Sequence, residues 1–208
     1  LPDDNQEPLQ NCLEERGSDE CAAIDCVSSG MWHPFQLVVK QKLPNARRVV
    51  DRFHIMKNLN EALAKARRTI QKDADEATRE LLKGCRWLLV KNRENLSEEQ
   101  EKQLAGMLDA SPELKRCYEL KESFRDLFNQ NLTVKAAEKR LRRWIAKVEA
   151  MPFKALKSFV ATLRNWWEQI LNYFDGRFNN GFAEGVNLKI KMLNRRGYGY
   201  RNFSSFRL

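Results

Sequence analysis

The spacing of apolar residues along the chain changes near residue 52. Before that point, the apolar run Cys21–Val27 is followed by Ser28-Ser29-Gly30 and predicts a short buried strand. A helix is predicted next, with Pro34 in its first turn, and the run Arg47–Asp51 predicts a second short strand. Strand, helix and strand over about 30 residues is typical of a βαβ unit, in which the two strands run parallel.

From Phe53 to about Ile170 the apolar spacing is almost wholly helical and predicts four or five helices. Ser97 with Gln100 predicts a capping box, and Ser111 and Thr133 are further N-cap candidates. Two strands cannot form a stable sheet alone. The predicted fold class is therefore α/β and mostly helical, unless the other strands of the sheet lie outside this chain.

Composition excludes a disordered or low-complexity chain, because 42% of the 208 residues are hydrophobic and 31% are charged. The formal net charge of +9 favours a polyanionic partner, nucleic acid before a membrane surface. Residues 151–208 hold ten Lys and Arg against three acidic residues, so the basic charge is concentrated there.

The sequence predicts no membrane span and no secretory signal. Five cysteines without a C-x-x-C pair predict reduced thiols in a cytoplasmic protein and no zinc site.

Several kinds of catalytic machinery are excluded because their motifs are absent from the sequence. The chain has no P-loop, no dinucleotide-binding glycine motif, no serine-hydrolase elbow and no H-E-x-x-H. Its two histidines also exclude a multi-histidine metal site within one chain. The remaining candidates are carboxylates at strand ends or helix starts.

Two of these carboxylates lie in the predicted βαβ unit. Asp25 falls inside the first predicted strand, where a charge is costly unless it is paired, metal-bound or at an accessible end. From the residues alone, an edge position or a helix N-cap is the favoured explanation of Asp25. Asp51 follows the second strand and can cap the long helix, and His54, three residues on, can hydrogen-bond to it or share a cation.

A third carboxylate, Glu184, lies near the start of a predicted amphipathic helix. Asn187, Lys191 and Arg195 project from the same face, which suits a metal-bound phosphate but is equally typical of an ordinary solvated face. The tail that follows alternates arginines with aromatic residues, among them Arg196, Tyr198, Tyr200 and Arg201. Such a tail can bind phosphates and stack on unpaired bases, or it can anchor the core.

Two long runs of the sequence carry a family resemblance. The segments LPNARRVVDRFHIMKNLNEALAKARR (residues 43–68) and FNNGFAEGVNLKIKMLNRRGYGYRNFSSFRL (residues 178–208) resemble the DDE transposases of bacterial insertion sequences, specifically the ISL3 family. The segment AIDCVSSGMWHPF (residues 23–35) adds to this resemblance, which then covers nearly the whole chain.

The resemblance implies a ribonuclease-H-like domain interrupted by a helical insertion. Residues 1–52 would begin that domain, residues 53–172 would form the insertion, and residues 173–208 would complete the domain. Three carboxylates of the family hold two Mg²⁺ ions, with Mn²⁺ as a possible substitute. Asp25 would be the second carboxylate and Glu184 the third, with Asn187 in support. Asp51 with His54 matches the family's [C/D]-x-x-H signature, or Asp51 is itself catalytic, and both alternatives stay open.

The resemblance also implies that the partner is DNA, whose strands the protein would cleave and join. It would do so at the nucleoid, in the cytoplasm of a bacterial cell. Basic residues of the C-terminal run would hold the DNA backbone: Lys189, Lys191, Arg195 and Arg196, with Tyr198, Tyr200 and Arg201 beyond them. The family's first catalytic carboxylate lies upstream of Asp25, so a fragment or a truncated copy, inactive alone, is expected. The complete protein would act as a homo-oligomer. The alternatives are a non-catalytic helical DNA-binding module, a relic, or a protein whose helices mediate self-association.

Overall fold

The computed structural model describes residues 6–84, 86–178 and 181–197. Within those residues, two strands and twelve α-helices follow one another along the chain. The strands are β1 (Cys26–Ser29) and β2 (Arg47–Val50). The helices before residue 91 are α1 (Glu7–Arg16), α2 (Ser18–Ala22), α3 (His33–Lys42), α4 (Arg52–Asp73), α5 (Glu76–Leu81) and α6 (Arg86–Val90). The later helices are α7 (Glu98–Ala110), α8 (Pro112–Asn129), α9 (Val134–Glu149), α10 (Lys154–Asn165), α11 (Trp167–Asn172) and α12 (Gly181–Arg196).

The predicted βαβ unit is confirmed. β1 and β2 are parallel, with Cys26 opposite Arg47 and Ser29 opposite Val50. The amide of Asp51 extends this pairing by donating to the Ser29 carbonyl at 2.9 Å. α3 connects the two strands, so both strands end at the same edge of the sheet, which we call the carboxyl edge.

The first strand begins later than the sequence pattern predicts. Cys21 and Ala22 belong to α2, because the Cys21 amide donates to the Gly17 carbonyl and closes a helical turn. Asp25 therefore precedes β1 and is exposed, instead of lying inside a buried strand. A short apolar run does not distinguish a strand from a helical turn followed by a strand.

The segment from Phe53 to Ile170 is helical, as predicted, but it contains more helices than the four or five expected. The described residues from 52 to 172 form eight helices, since α5, α6 and α11 have only five or six residues each. Helices of that length do not establish a 3.6-residue period. The predicted caps are confirmed: Ser97 and Gln100 form a complete capping box, and Ser111 and Thr133 accept from the amides of Leu114 and Ala136.

The core lies between α4 and the helices α8, α9 and α10, which together form the helical body. Its centre is an aromatic cluster in which Phe124 contacts Phe128, Trp144 and Phe159 at ring-centroid distances of 5.1, 4.7 and 5.5 Å. The indole of Trp144 donates to the Leu120 carbonyl at 2.8 Å, which satisfies its polar group inside the core. No helix in the described part of the chain combines the length and apolar character that crossing a membrane requires.

The strand pair is attached to this body through α11. β2 packs against α11, and the Asn172 side chain donates to the Arg48 carbonyl at 3.0 Å. Arg47 forms an ion pair with Asp175 just beyond α11, at 2.5 Å. These contacts fix the carboxyl edge of the sheet relative to the helical body.

Candidate active site

Asp51 lies at the carboxyl edge, between the end of β2 and the first residue of α4. Its side chain is only 4% exposed, and one oxygen accepts a hydrogen bond from the Phe53 amide at 2.7 Å. The carboxylate thereby caps α4, and the partial positive charge of the helix N-terminus stabilises its negative charge. The N-cap interpretation of Asp51 is confirmed. Because capping uses one carboxylate oxygen, it does not exclude that Asp51 also binds a cation.

His54 lies at the same edge of the sheet. Its imidazole covers Gly30, the residue that follows β1, and a Cβ atom added at Gly30 would lie 3.1 Å from the ring. The glycine therefore makes room for the imidazole, which also packs edge-on against Phe53 at 5.4 Å. The ends of both strands and the start of α4 thus meet at this point.

Asp51 opens onto a cavity of about 480 Å³ between the carboxyl edge and the helical body. Gly181, the first residue of α12, lines this cavity together with Asp51. Glu184 follows three residues later in α12, and its side chain lies outside what the structure describes. The other lining residues are Arg52, Phe53, Met56, Asn60, Asn92, Arg125 and Tyr173.

Arg125 supplies a fixed positive charge to the cavity that the sequence pattern did not indicate. Its guanidinium donates to Glu94 at 2.7 Å and to Glu122 at 3.1 Å, and its side chain is 11% exposed. Burial acts to lower the pKa of Arg125, but the two glutamates outweigh it and raise that pKa, so the group stays charged. The only local signal is that Arg125 follows Glu122 by three residues on a largely apolar helix face.

Lys121 completes the same charged network. Its side chain is 1% exposed, and its ammonium contacts the Lys91 carbonyl and Glu122 at 3.0 and 2.5 Å. Burial lowers the pKa of Lys121, while the hydrogen bond to Glu122 acts in the opposite direction. The network connects α8 to the segment between α6 and α7 and thereby holds one wall of the cavity.

The structure does not bring Asp25 and Asp51 together. Asp25 precedes β1, and its carbonyl accepts from the Arg47 amide at the opposite end of the strand pair. The four residues of β1 separate Asp25 from the carboxyl edge, a distance of about 13 Å at 3.3 Å per residue. The two carboxylates therefore cannot be ligands of one cation.

The predicted DNA-binding residues divide into two groups. Lys189, Lys191, Arg195 and Arg196 lie on α12, and all four are exposed, as is Asn187, the predicted support residue of the active site. Tyr198, Tyr200 and Arg201 lie outside the described residues. The exposed cations of α12 are thus available to an anionic partner on the helix that begins at the Asp51 cavity.

The chemistry of Asp51 fits a hard divalent cation, which prefers carboxylate oxygens. Within residues 6–84, 86–178 and 181–197, however, no group of three His, Cys, Asp or Glu residues could hold a metal ion. Asp51 is the one carboxylate that the described residues place on the cavity wall. These residues supply part of a metal site and leave its other ligands undetermined.

A parallel strand pair with a carboxylate at its carboxyl edge, beside a helical body, is an arrangement found among α/β enzymes, which bind ligands at that edge. The chain belongs to the ISL3 family of transposases, whose family model, described as "Transposase", matches residues 1–208. The family resemblance of the sequence is thereby confirmed.

Curated relatives support the same assignment. The transposase for insertion sequence element IS1001 of Bordetella parapertussis is 27% identical over 208 residues, covering 99% of this chain and 51% of that protein. The transposase for IS1557 of Mycobacterium tuberculosis is 29% identical over 211 residues, covering 89% of this chain and 47% of that protein. The chain spans about half the length of these curated relatives. No solved structure matches it significantly.

Proposed function

We propose that this chain is the C-terminal portion of a DDE transposase that cleaves and joins DNA strands during insertion-sequence transposition. The observation that carries this proposal is the cavity lined both by Asp51, at the carboxyl edge of the sheet, and by Gly181, the first residue of α12. DNA is the substrate, so the protein works at the bacterial nucleoid, and the complete protein acts as a homo-oligomer.

The proposed fold is a ribonuclease-H-like domain formed by residues 1–52 and 173–208, with residues 53–172 inserted as helices. The parallel β1–β2 pair supports this division, because both strands lie within residues 1–52 and end at the same carboxyl edge of the sheet. The helical body supports it as well, since its core is built mainly from α4, α8, α9 and α10, all of which lie within residues 53–172 apart from the first residue of α4.

In this proposal Asp51 and Glu184 are the two catalytic carboxylates that the chain contributes, and Asp25 is not one of them. Mg²⁺ or Mn²⁺, when bound, would activate the attacking oxygen and stabilise the leaving oxygen of an in-line displacement at phosphorus. Asp51 suits this role because the Phe53 amide fixes its orientation and because it is buried beside the start of α12. Asp25 is exposed at the other end of the strands.

The other residues of the site would position the DNA. His54 packs over Gly30 and keeps the end of β1 close to Asp51, which makes it a positioning residue. Arg125 keeps a positive charge on the cavity wall, and Lys189, Lys191 and Arg195 would contact phosphates without reading sequence. Because three carboxylates hold the cations in the proposed mechanism and this chain would contribute only Asp51 and Glu184, we expect the 208-residue chain alone not to catalyse transposition.

The test uses the complete transposase of IS1557, changed at the positions aligned with Asp51, Asp25 and Glu184. Asn at the Asp51 position and Gln at the Glu184 position should each lower excision of the element at least about a thousandfold, as expected for groups that act as a unit. Asn at the Asp25 position should retain excision within about threefold. DNA binding, measured in parallel, should persist in all three variants.

Two outcomes would contradict the proposal. If the Asp25 variant loses excision and the Asp51 variant retains it, the active site lies at the other end of the strands. Unchanged excision in the Glu184 variant would favour the alternative, in which this portion is a non-catalytic helical DNA-binding module.

A further inference from the structure

A second and larger cavity, which we call the α4 groove, runs along α4 and α6. It has a volume of about 700 Å³ and shares Phe53, Met56 and Asn60 with the Asp51 cavity. The two cavities therefore adjoin along one face of α4. The remaining lining residues are Lys57, Glu61, Ala64, Lys65, Arg67, Arg68, Arg86, Trp87 and Val90.

The α4 groove is strongly basic. Five of its lining residues are Lys or Arg, against Glu61 alone. None of the five forms an ion pair with a carboxylate in the described part of the chain, whereas cations elsewhere do, such as Arg125 and Arg142. An anionic ligand could therefore approach these charges without breaking an ion pair.

Trp87 places a large aromatic ring at the edge of the α4 groove. It is 71% exposed, the highest value among the exposed large apolar side chains in the described part of the chain. The guanidinium of Arg86 lies 5.3 Å from the centre of its ring, and Phe53, at the end of the groove near Asp51, is 55% exposed. A basic groove with exposed aromatic rings is the combination by which proteins bind unpaired nucleotides.

Two buried polar atoms on the wall of the α4 groove also lack partners. Asn60 Oδ1 and Arg67 Nε have no hydrogen-bond partner among the described residues. Leaving such groups unsatisfied costs free energy, and most native proteins avoid it. Both residues line the α4 groove, so the polar groups along this wall are incompletely satisfied by the protein itself.

We propose that the α4 groove binds a single-stranded segment of DNA and leads it to Asp51, with Trp87 stacked on one of its bases. The inference rests on the proposed function, because it takes DNA as the substrate of the Asp51 cavity. From Phe53 to Arg68, α4 rises about 22 Å, which matches about six stacked nucleotides of one strand. A single strand is favoured over a duplex because paired bases keep their faces inside the double helix, out of reach of Trp87.

The test measures binding of the intact 208-residue chain to a labelled 20-nucleotide DNA strand and to the corresponding duplex, in EDTA. We expect the single strand to bind at least about tenfold more tightly and to quench tryptophan emission. Trp87→Ala should weaken binding of the single strand about tenfold, as expected for the loss of one base–aromatic stack. Trp87→Phe should keep most of the affinity and lose most of the quenching, because it retains a ring but not the indole.

A matched pair of charge variants tests the path along α4. Lys65→Gln with Arg68→Gln removes two exposed charges from the α4 groove, and Lys139→Gln with Arg143→Gln removes two from α9. The first pair should reduce the slope of log affinity against log salt by about 1.4 for a single strand, and the second should leave that slope unchanged.

Any one of three results would overturn the proposal. These are equal affinity for strand and duplex, equal effects of the two charge pairs on the salt slope, and unchanged single-strand affinity in Trp87→Ala. Circular dichroism of every variant checks that it is folded. Because EDTA prevents metal-dependent chemistry, failure of these binding predictions leaves the Asp51 test intact, and retained excision in the Asp51 variant would leave the binding measurements unaffected.

Discussion

The helical body buries its apolar side chains, whereas α12 exposes them. In the body, Phe124 and Phe128 are fully buried and Trp144 is 4% exposed. On α12, Leu188 and Leu193 are 60% and 57% exposed, and every side chain of that helix that the structure describes is exposed. The apolar side chains of the body therefore pack against one another, whereas α12 presents apolar and basic residues together on an open surface.

This difference separates stability from function in the same chain. Substitutions in the body should lower the free energy of unfolding, because they leave cavities or unpaired charges. Substitutions on α12 should leave that free energy almost unchanged. The carboxyl edge of the sheet lies between these extremes, since Asp51 both caps α4 and faces the cavity.

The largest effect is expected at the centre of the body. Phe124→Ala should lower the free energy of unfolding by about 4 kcal/mol, because it removes a buried ring that touches three other aromatic side chains. Chemical denaturation followed by circular dichroism measures this change. A loss below about 1 kcal/mol would mean that the aromatic cluster is not the core of the body.

A smaller loss is expected where the body borders the Asp51 cavity. Arg125→Ala should cost about 3 kcal/mol, because it removes one of the two cations paired with the largely buried Glu122 and leaves Lys121 as the other. Arg142→Ala provides the matched control, since Arg142 forms an exposed ion pair with Glu138, and it should cost less than about 1 kcal/mol. Equal losses in the two variants would show that burial of the Arg125 network has no energetic consequence.

At the carboxyl edge, two substitutions separate the N-cap hydrogen bond of Asp51 from its negative charge. Asp51→Ala should cost about 1 kcal/mol through loss of the N-cap bond to Phe53, whereas Asp51→Asn should cost a few tenths. Thermal unfolding of both variants gives the comparison. If Asp51→Asn is as destabilising as Asp51→Ala, the negative charge itself, and not the hydrogen bond, stabilises the start of α4.

The smallest effect is expected on α12. Leu193→Ala should change the free energy of unfolding by less than about 0.5 kcal/mol, because the side chain is exposed. The same denaturation experiment measures it. A loss comparable to that of Phe124→Ala would mean that α12 packs on the body in solution, and the contrast between the two regions would then fail.

The βαβ unit and the capped helices were predictable because their signals are local. Ser97 with Gln100 and the Arg47–Asp51 run depend on neighbouring residues, and the structure confirms both. The start of β1 was not predictable, since α2 is too short for periodicity to reveal. That shift of a few residues places Asp25 outside the strand and far from the carboxyl edge.

The walls of the two cavities could not be predicted from the sequence for a different reason. Asp51, Arg125 and Gly181 are far apart in the chain and meet only through tertiary packing. Trp87 lies in a five-residue helix whose apolar character indicates core, and only its 71% exposure indicates a binding role. Glu184 stays a prediction, because its side chain lies outside the described residues.

The most direct test of the central claim is the broadening of backbone amide NMR signals of the 208-residue chain by Mn²⁺. The claim is that Asp51 and the start of α12 share one cation site. It predicts broadening near residues 51–54 and 181–187, little effect near residues 24–27, and loss of the broadening in Asp51→Asn. Broadening centred on Asp25, or broadening that persists in Asp51→Asn, would contradict the account.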